Sequence, residues 1–265
     1  MAEPLVARMV QFTIPAEYEE AYIYPIGDLH LGDPACDLAK LYGYLNHIKS
    51  IPNGYILLNG DLANIATRAS VSDVYAEEYP VREQRKRLVS MFEPVRDRII
   101  AMTGGNHELR LSRETGDDFN ETLAMMLGIE SRYKVGEVYI KLSVGEHRER
   151  GRTQEPVHYS IYMTHGSRGG RRAGATANQL EDLASIVDAD IYVAGHTHKK
   201  MVFAAGFHRI DINHATVRAT KHLHVSTGGY LKREGYPIEK GYAPTWLGSA
   251  RIRVDGRKKD AHASV

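Results

Sequence analysis

The sequence predicts an α/β fold of layered sheets flanked by helices, on three observations. Up to Gly195, short apolar runs recur, and each stops at a glycine beside Asp, Asn or His. Stretches with apolar residues at helical spacing lie between those runs. Beyond Gly195 the chain turns to short β-like segments with turn signals and no helical period. β/α units followed by a β-rich end place sheets inside and helices outside.

The elements follow in chain order. Tyr22 to Ile26 and Tyr55 to Leu58 are buried-strand runs that stop at Gly27-Asp28 and Asn59-Gly60-Asp61. Between them Leu38, Leu41, Tyr42, Leu45 and Ile48 share a helical face, with Asp37 placed as N-cap and His47 off the face, exposed. Val81 to Phe92 is predicted helical, its Arg85-Lys86-Arg87 run solvated. Ile99 to Met102 leads into Thr103-Gly104-Gly105, and Phe119, Leu123, Met126 and Leu127 mark the next helix. Ser160 to Met163 ends at Thr164-His165-Gly166. Leu180, Leu183, Ala184 and Val187 make the last helical face, and Asp190 to Ala194 runs into Gly195-His196. Met201 to Ala205, His208 to Ile212, Val217 to Val225 and Gly248 to Val254 make up the β-rich end.

At 265 residues and 43% hydrophobic content, the chain is long enough to bury a core as one domain over residues 1–255. Residues 256–265 read as a flexible, solvated C-terminal tail. Lys and Arg total 34 against 33 for Asp and Glu, a net charge of +1, which excludes a protein that coats nucleic acid non-specifically. Cys36 is the only cysteine, which excludes an internal disulfide and fits a reducing compartment. No apolar run approaches the length of about 20 residues that a membrane span needs. Met1 to Gln11 lacks the basic start and long apolar stretch of a secretory signal. The expectation is a soluble, cytoplasmic protein with no membrane partner, its oligomeric state open.

Chemistry gathers where the strand-like runs stop. The clusters are Asp28-Leu29-His30, Gly60-Asp61, Gly105-Asn106-His107-Glu108, His165-Gly166 and Gly195-His196-Thr197-His198. Ligands bind beyond the carboxyl ends of strands in open α/β sheets, so the clusters are expected to converge on one crevice. Carboxylate, amide and imidazole donors without a thiolate suit divalent Mn, Fe, Co, Ni or Zn. Asp28 and His30 are spaced to face the same side of a strand, as are His196 and His198. One ion has too few positions for all these donors; two ions sharing a bridging carboxylate use them.

Taken in order, these blocks resemble the signature of the calcineurin-like metallophosphoesterase superfamily: D-x-H, G-D, G-N-H-[DE], H-G and a final G-H-x-H. Ser226-Thr227-Gly228-Gly229 is similar to the family's closing strand. The resemblance implies a four-layer α/β/β/α sandwich of two mixed β-sheets flanked by helices. It implies that Asp28, His30 and His198 hold a first metal, that Asp61 bridges, and that Asn106, His165 and His196 hold a second. His107 matches the family's general acid. Two divalent ions, Mn²⁺ first among Mn, Fe, Ni, Co and Zn, would lower the pKa of a water between them and clamp the transition-state oxygens.

One block departs from the pattern. Protein phosphatases of the superfamily carry G-D-x-x-D-R-G, whose second Asp steadies the catalytic His; here Asn64 stands at that position and the Arg-Gly pair is missing. An amide does not stabilise an imidazolium as a carboxylate does. Glu108 is the nearest alternative partner for His107, or else a brace behind a metal ligand. The departure argues against a protein phosphatase.

Substrate signals are arginines. Arg168, Arg171 and Arg172 sit in a glycine-rich loop after His165, Arg110 and Arg113 follow the His107 block, and Arg68 follows Asp61. Guanidinium binds phosphate bidentately, which favours a nucleotide or nucleic-acid substrate over a small neutral ester. Tyr42, Tyr44, Tyr75 and Tyr79 either stack bases or edge the core. His222 and His224 are expected to be structural, Trp246 to pack in core or loop, and Cys36 to be a small buried residue. Val71 to Arg96 and Arg110 to Arg132 are expected to shape the substrate site. The expected activity is a phosphodiesterase on nucleotides or nucleic acid. The alternatives are a phosphomonoesterase, a nucleotide pyrophosphatase, or an inactive metal-dependent binding module.

Overall fold

The computed structural model describes residues 8–67, 70, 74–145, 148–149, 152–153, 155–170, 172–234, 238, 241 and 243–265. The first half of the chain forms β1 (Met9–Thr13), β2 (Glu20–Ile26), α1 (Leu38–Ser50), β3 (Gly54–Asn59), α2 (Val81–Phe92), β4 (Ile99–Thr103), α3 (Asn106–Thr115) and α4 (Phe119–Leu127). Next come β5 (Tyr133–Lys134), β6 (Glu137–Val144), the short pair β7 (Arg148–Glu149) and β8 (Arg152–Thr153), and β9 (Val157–Thr164). The chain ends with α5 (Ala173–Leu183), β10 (Ile191–Ala194), β11 (Lys200–Asp211), β12 (Thr216–Gly229), β13 (Gly248–Ser249), β14 (Arg251–Asp255) and β15 (Ala261–Ser264).

Two mixed sheets carry the fold. One has the order β1-β6-β9-β10-β12-β11, with β13 attached to β12; the other has the order β15-β14-β2-β3-β4-β5. Strands β2 to β5 run parallel, as do β9, β10 and β12. β3, β4 and β10 are buried at every position, which is why their sequences are unbroken apolar runs rather than alternating ones. Ile23, Leu57, Ile140, Ile161, Val193 and Val225 fill the space between the sheets. Leu41, Leu45, Leu88, Phe92, Leu123 and Leu127 pack α1, α2 and α4 on the second sheet, while Leu180 and Leu183 dock α5 against Tyr162 and Tyr192 of the first. Helix, sheet, sheet and helix make the expected four layers.

Local signals explain the helices. Asp37 Oδ1 accepts the Lys40 amide at 2.9 Å and starts α1, and Asp118 Oδ1 accepts the amides of Asn120 and Glu121 at 3.0 Å to start α4. Tyr42 and Met126, predicted on apolar faces, are instead exposed at 44% and 50%; a fully apolar stripe is wider than either helix needs.

Three expectations are corrected. Residues 256–265 do not fray: Ala261 and Ala263 are buried, β15 pairs with β14 from Val254↔Ala261 to Arg251↔Ser264, and Tyr159 Oη donates to the Asp260 carbonyl at 2.9 Å. The alternating small residues of Ala-His-Ala-Ser carry too little apolar weight to announce a strand. Met201 to Ala205 and His208 to Ile212 are one strand, β11, paired with β12 throughout. The stretches 71–96 and 110–132 are not wholly insertions, since α2 and α4 within them pack into the outer helical layer and its core; residues 71–73 lie outside those described. No helix among the described residues is long and apolar enough to cross a membrane.

Candidate metal centre

Each predicted donor follows the end of a strand, and the loops that carry them are laced together. Leu29 N and His30 N donate to the Asp61 carbonyl at 2.8 and 3.0 Å, and Leu31 N donates to Leu62 O at 3.0 Å. Asp28, His30, Asp61, His196 and His198 have φ of 50°, 51°, 47°, 69° and 55°. A side chain in this left-handed region costs about 1 kcal/mol or more, so five such residues persist only where surrounding bonds over-determine them. Asp28 and His30 thus face one side through alternating loop backbone, not through the strand geometry expected from their spacing. The intervening Leu29 and Leu31 are fully buried and anchor the loop in the core. Gly105 is required by close approach, since a Cβ there would overlap the Asp61 carboxylate.

The donors converge as two groups around Asp61. His198 Nε2 lies 3.4 Å from Asp28 Oδ1 and 3.2 Å from His30 Nε2. On the other side His165 Nε2 lies 3.2 Å from Asp61 Oδ2, and Asn106 Oδ1 is 3.2 Å from His165 Nε2 and 2.8 Å from His196 Nδ1. Asp61 Oδ2 is also 3.9 Å from His30 Nε2. Asp28, His30 and His198 form one potential cation-binding group, Asp61, His165 and His196 another, and His30, Asp61 and His107 a third that shares a residue with each.

These residues fit divalent ions. Buried donor atoms face one another: two imidazole nitrogens meet at 3.2 Å, and His30 Nδ1 is buried without a hydrogen-bond partner among the described residues. Burial pushes the Asp28 carboxyl up and lowers His30 and His198, the latter to about 4, so both rings are neutral and ready to ligate. Burial also opposes charge on Asp61 and His165. Their mutual attraction prevails in both, holding Asp61 well below the usual carboxylate range and raising His165. Outer contacts fix the set: His196 N and Thr227 Oγ1 donate to Asp28 Oδ2 at 3.0 and 3.3 Å, and His165 Nδ1 meets the Asn59 carbonyl at 2.8 Å.

The residues around His107 resolve the choice left open at Asn64. His107 Nδ1 lies 2.6 Å from the backbone carbonyl of Asn64, and the Asn64 amide turns away to Glu77. Glu108 does not touch the ring. It is buried and accepts the amides of Asp61, Leu62, Ala63 and Gly105 at 3.0, 2.6, 3.1 and 2.9 Å, bracing the loop that presents Asp61.

The arginines fare unequally. Arg110 Nη1 is buried and has no hydrogen-bond partner among the described residues. Arg168 is exposed and ion-paired with Asp182, Arg172 is exposed at the start of α5, and Arg171 and Arg68 lie outside the described residues. Trp246 is 81% exposed, contrary to the packing role expected. Tyr75 is 98% exposed, whereas Tyr44 and Tyr79 edge the core. His222 and His224 are structural as expected, with the His224 ring stacked at 4.6 Å on Phe203 and 4.8 Å on Tyr192. Arg85 is less solvated than expected: it pairs with Asp117 at 2.5 Å and covers the Phe119 ring. Glu77, Gln84 and Gln179 support the site without any sequence signal, being ordinary polar residues whose partners at the site lie 11 or more residues away in the chain.

A family model described as calcineurin-like phosphoesterase matches residues 22–200. No curated protein matches the chain in sequence. Among solved structures the chain is similar to vacuolar protein sorting 29 from Cryptosporidium parvum, with 14% identity, a TM-score of 0.42, and coverage of 92% of this chain and 97% of that one. A predicted phosphoesterase from Streptococcus pneumoniae TIGR4 matches at 13% identity and a TM-score of 0.37, with the same 92% and 97% coverage. Vps29 complexed with zinc from Entamoeba histolytica matches at 9% identity and a TM-score of 0.35, again covering 92% and 97%.

Proposed function

The chain belongs to the calcineurin-like phosphoesterase family and is a metal-dependent phosphoester hydrolase; from that premise we propose a phosphodiesterase that works through two divalent cations, manganese foremost, on nucleotide or nucleic-acid esters. The observation that carries the reading is Asp61, whose Oδ2 lies 3.2 Å from His165 Nε2 of one donor group and 3.9 Å from His30 Nε2 of the other. A carboxylate between two such groups supports a shared ligand. Asp28, His30 and His198 would hold one ion, and Asn106, His165 and His196 the other, with Asp61 common to both. Bound there, the ions would acidify a water and draw charge from the phosphoryl oxygens.

The chain's own residues supply the rest. With Nδ1–H donated to the Asn64 carbonyl, the His107 ring turns Nε2 toward the site, and in its doubly protonated form it carries at Nε2 the proton to be transferred. Nε2 lies 3.9 Å from Asp61 Oδ2, at the rim of the donor cage, where it can protonate a departing oxygen. Arg110, on α3 one turn beyond Asn106, has a guanidinium nitrogen with no hydrogen-bond partner among the described residues, which supports a contact to phosphate.

Charge favours a diester over a monoester. Asp33 interacts electrostatically with His107, which sets a carboxylate near the proposed acid. A monoester carries a charge of about −1.5 to −2 at neutral pH, so it is repelled more than a singly charged diester. The free thiol of Cys36 supports a reducing, cytoplasmic location.

The test is hydrolysis of bis-p-nitrophenyl phosphate against p-nitrophenyl phosphate with Mn²⁺. The diester is expected to be the better substrate, and Asp61→Ala and His107→Ala to abolish its turnover. A faster monoester reverses the substrate assignment. No turnover of either ester with Mn, Fe, Co, Ni or Zn leaves a metal-binding module instead.

A further inference from the structure

We propose that Glu77 is the positioning carboxylate of His107, acting at one remove through Asn64; this rests on the reading of His107 as the proton donor. His107 is oriented by a carbonyl rather than by a side-chain carboxylate: its Nδ1 lies 2.6 Å from Asn64 O. A backbone carbonyl steers a ring only if its own turn is fixed. That turn is an unfavourable one, because Ile65, a β-branched residue, has φ of 46°.

The bonds that hold the turn converge on Glu77 and its partner Gln84. Asn64 Nδ2 donates to Glu77 Oε1 at 2.5 Å, and the Ala66 amide donates to the same oxygen at 3.2 Å. The Ile65 amide donates to Gln84 Oε1 at 3.2 Å, and Gln84 Nε2 in turn donates to Glu77 Oε2 and, at 2.7 Å, to the Tyr79 carbonyl. On the upstream side the Asn64 amide donates to Leu31 O at 2.9 Å, tying the turn to the loop of His30.

Two features show that the network is built rather than incidental. Gln84 sits in α2 fully buried, a position where packing alone would select an apolar residue, and both ends of its amide are engaged. Gly32, with φ of +115°, stands where a Cβ would come within 2.7 Å of Glu77 Oε2 and overlap the Gln84 amide, so the backbone is shaped to admit the pair. The negative charge that Asn64 cannot carry is therefore present one side chain further out. Glu77 reaches the ring through an amide, a turn and a carbonyl, and it keeps Nδ1 on that carbonyl and Nε2 turned toward the donor cage.

Two measurements on the full chain test this. Long-range ¹H–¹⁵N spectra of the metal-free, histidine-labelled protein read the His107 tautomer, with the signal assigned by its loss in His107→Ala. The wild type is expected to show Nδ1–H. Glu77→Ala is expected to shift the ring to Nε2–H, the form preferred by free imidazole, and Glu77→Gln to fall between them, since it keeps an acceptor for Asn64 but turns a donor on Gln84. In the Mn²⁺-loaded enzyme, the rate ratio of a p-nitrophenyl diester to a phenyl diester reports dependence on the proton donor. That ratio should rise about tenfold in Glu77→Ala; a scaffold role alone slows both esters alike. A wild-type tautomer in Glu77→Ala overturns the inference, as does an unchanged ratio in an enzyme that cleaves both esters. If wild type cleaves neither, the phosphodiesterase reading falls, and the tautomer still decides the role of Glu77. Should Glu77→Ala fail to fold, Glu77→Gln answers both questions.

Discussion

Glu108 accepts the backbone amide of Asp61 at 3.0 Å, and through that bond a buried side chain on α3 sets where the central carboxylate of the metal centre stands. The same carboxylate gathers the amides of Leu62, Ala63 and Gly105, the last by reaching back across the first turn of α3. Two loops separated in sequence are joined by one side chain. Truncation would strand four buried or half-buried donors at about 1–3 kcal/mol each where no water reaches them. Glu108→Ala is expected to lower the stability of the metal-free protein by about 3 kcal/mol or more, read by urea unfolding, and to weaken Mn²⁺ binding alongside. A loss below about 1 kcal/mol would show that the loops hold their shape without it.

Cys36 gives a pH-dependent check on the segment between His30 and α1. Burial, and after it the Asp33 carboxylate, pushes its thiol up to about 12. A raised thiol pKa keeps the proton on, so the reactive thiolate is scarce at pH 8 and grows only as pH climbs toward that value. Alkylation by iodoacetamide at pH 8 is expected to be more than about a hundredfold slower than for an unhindered cysteine of pKa about 8.5, and to accelerate through pH 10. Reaction at the free rate would mean that the packing of Cys36 opposite Leu231 is not kept in solution.

The strands and the donor set were legible because they rest on local signals. Buried parallel strands are continuous apolar runs, and the Asp-Leu-His-Leu pattern of residues 28–31 alternates donors with residues the core demands. What the sequence hid is long-range. Glu77 and Gln84 look like any solvated pair at a helix start, and their meaning depends on a turn 11 to 19 residues upstream. Asn64 misled for the opposite reason: a reading of side chains sees a missing carboxylate, while the group that meets His107 is the carbonyl, which every residue has. The pairing of Arg168 with Asp182 of α5 was hidden in the same way, since it is fixed only once the helix is placed.

That difference between arginines is itself testable. Arg168 is exposed and already paired with Asp182, whereas Arg110 holds a buried guanidinium nitrogen without a hydrogen-bond partner among the described residues. An exposed ion pair contributes little, but an unpartnered cationic donor one turn along α3 from Asn106 would make a charge-assisted bond to a phosphate that reached it. Arg110→Ala is expected to raise the KM for the diester about tenfold, and Arg168→Ala to change it less than about twofold. The reverse order in steady-state kinetics would move the phosphate contact to the loop after His165.

Metal content tests the two-group geometry directly. His196 serves only the Asn106–His165 side, and His198 only the Asp28–His30 side, while Asp61 touches both. Chelator-stripped protein reloaded with Mn²⁺ is therefore expected to hold two ions per chain by elemental analysis, His196→Ala one, and Asp61→Ala neither firmly. Stability should follow occupancy, since an ion that binds only the folded chain adds about 2.7 kcal/mol at a hundredfold excess over its Kd. The loaded wild type should thus unfold several degrees above the stripped protein, with His196→Ala retaining about half of that shift. The stripped cage also carries a protonated His165 against Asp61, and that proton has to leave when the second ion enters. Mn²⁺ affinity is accordingly expected to rise with pH across the neutral range. A single ion in the wild type, undiminished by His196→Ala, would confine binding to Asp28, His30 and His198 and remove the basis for a paired centre.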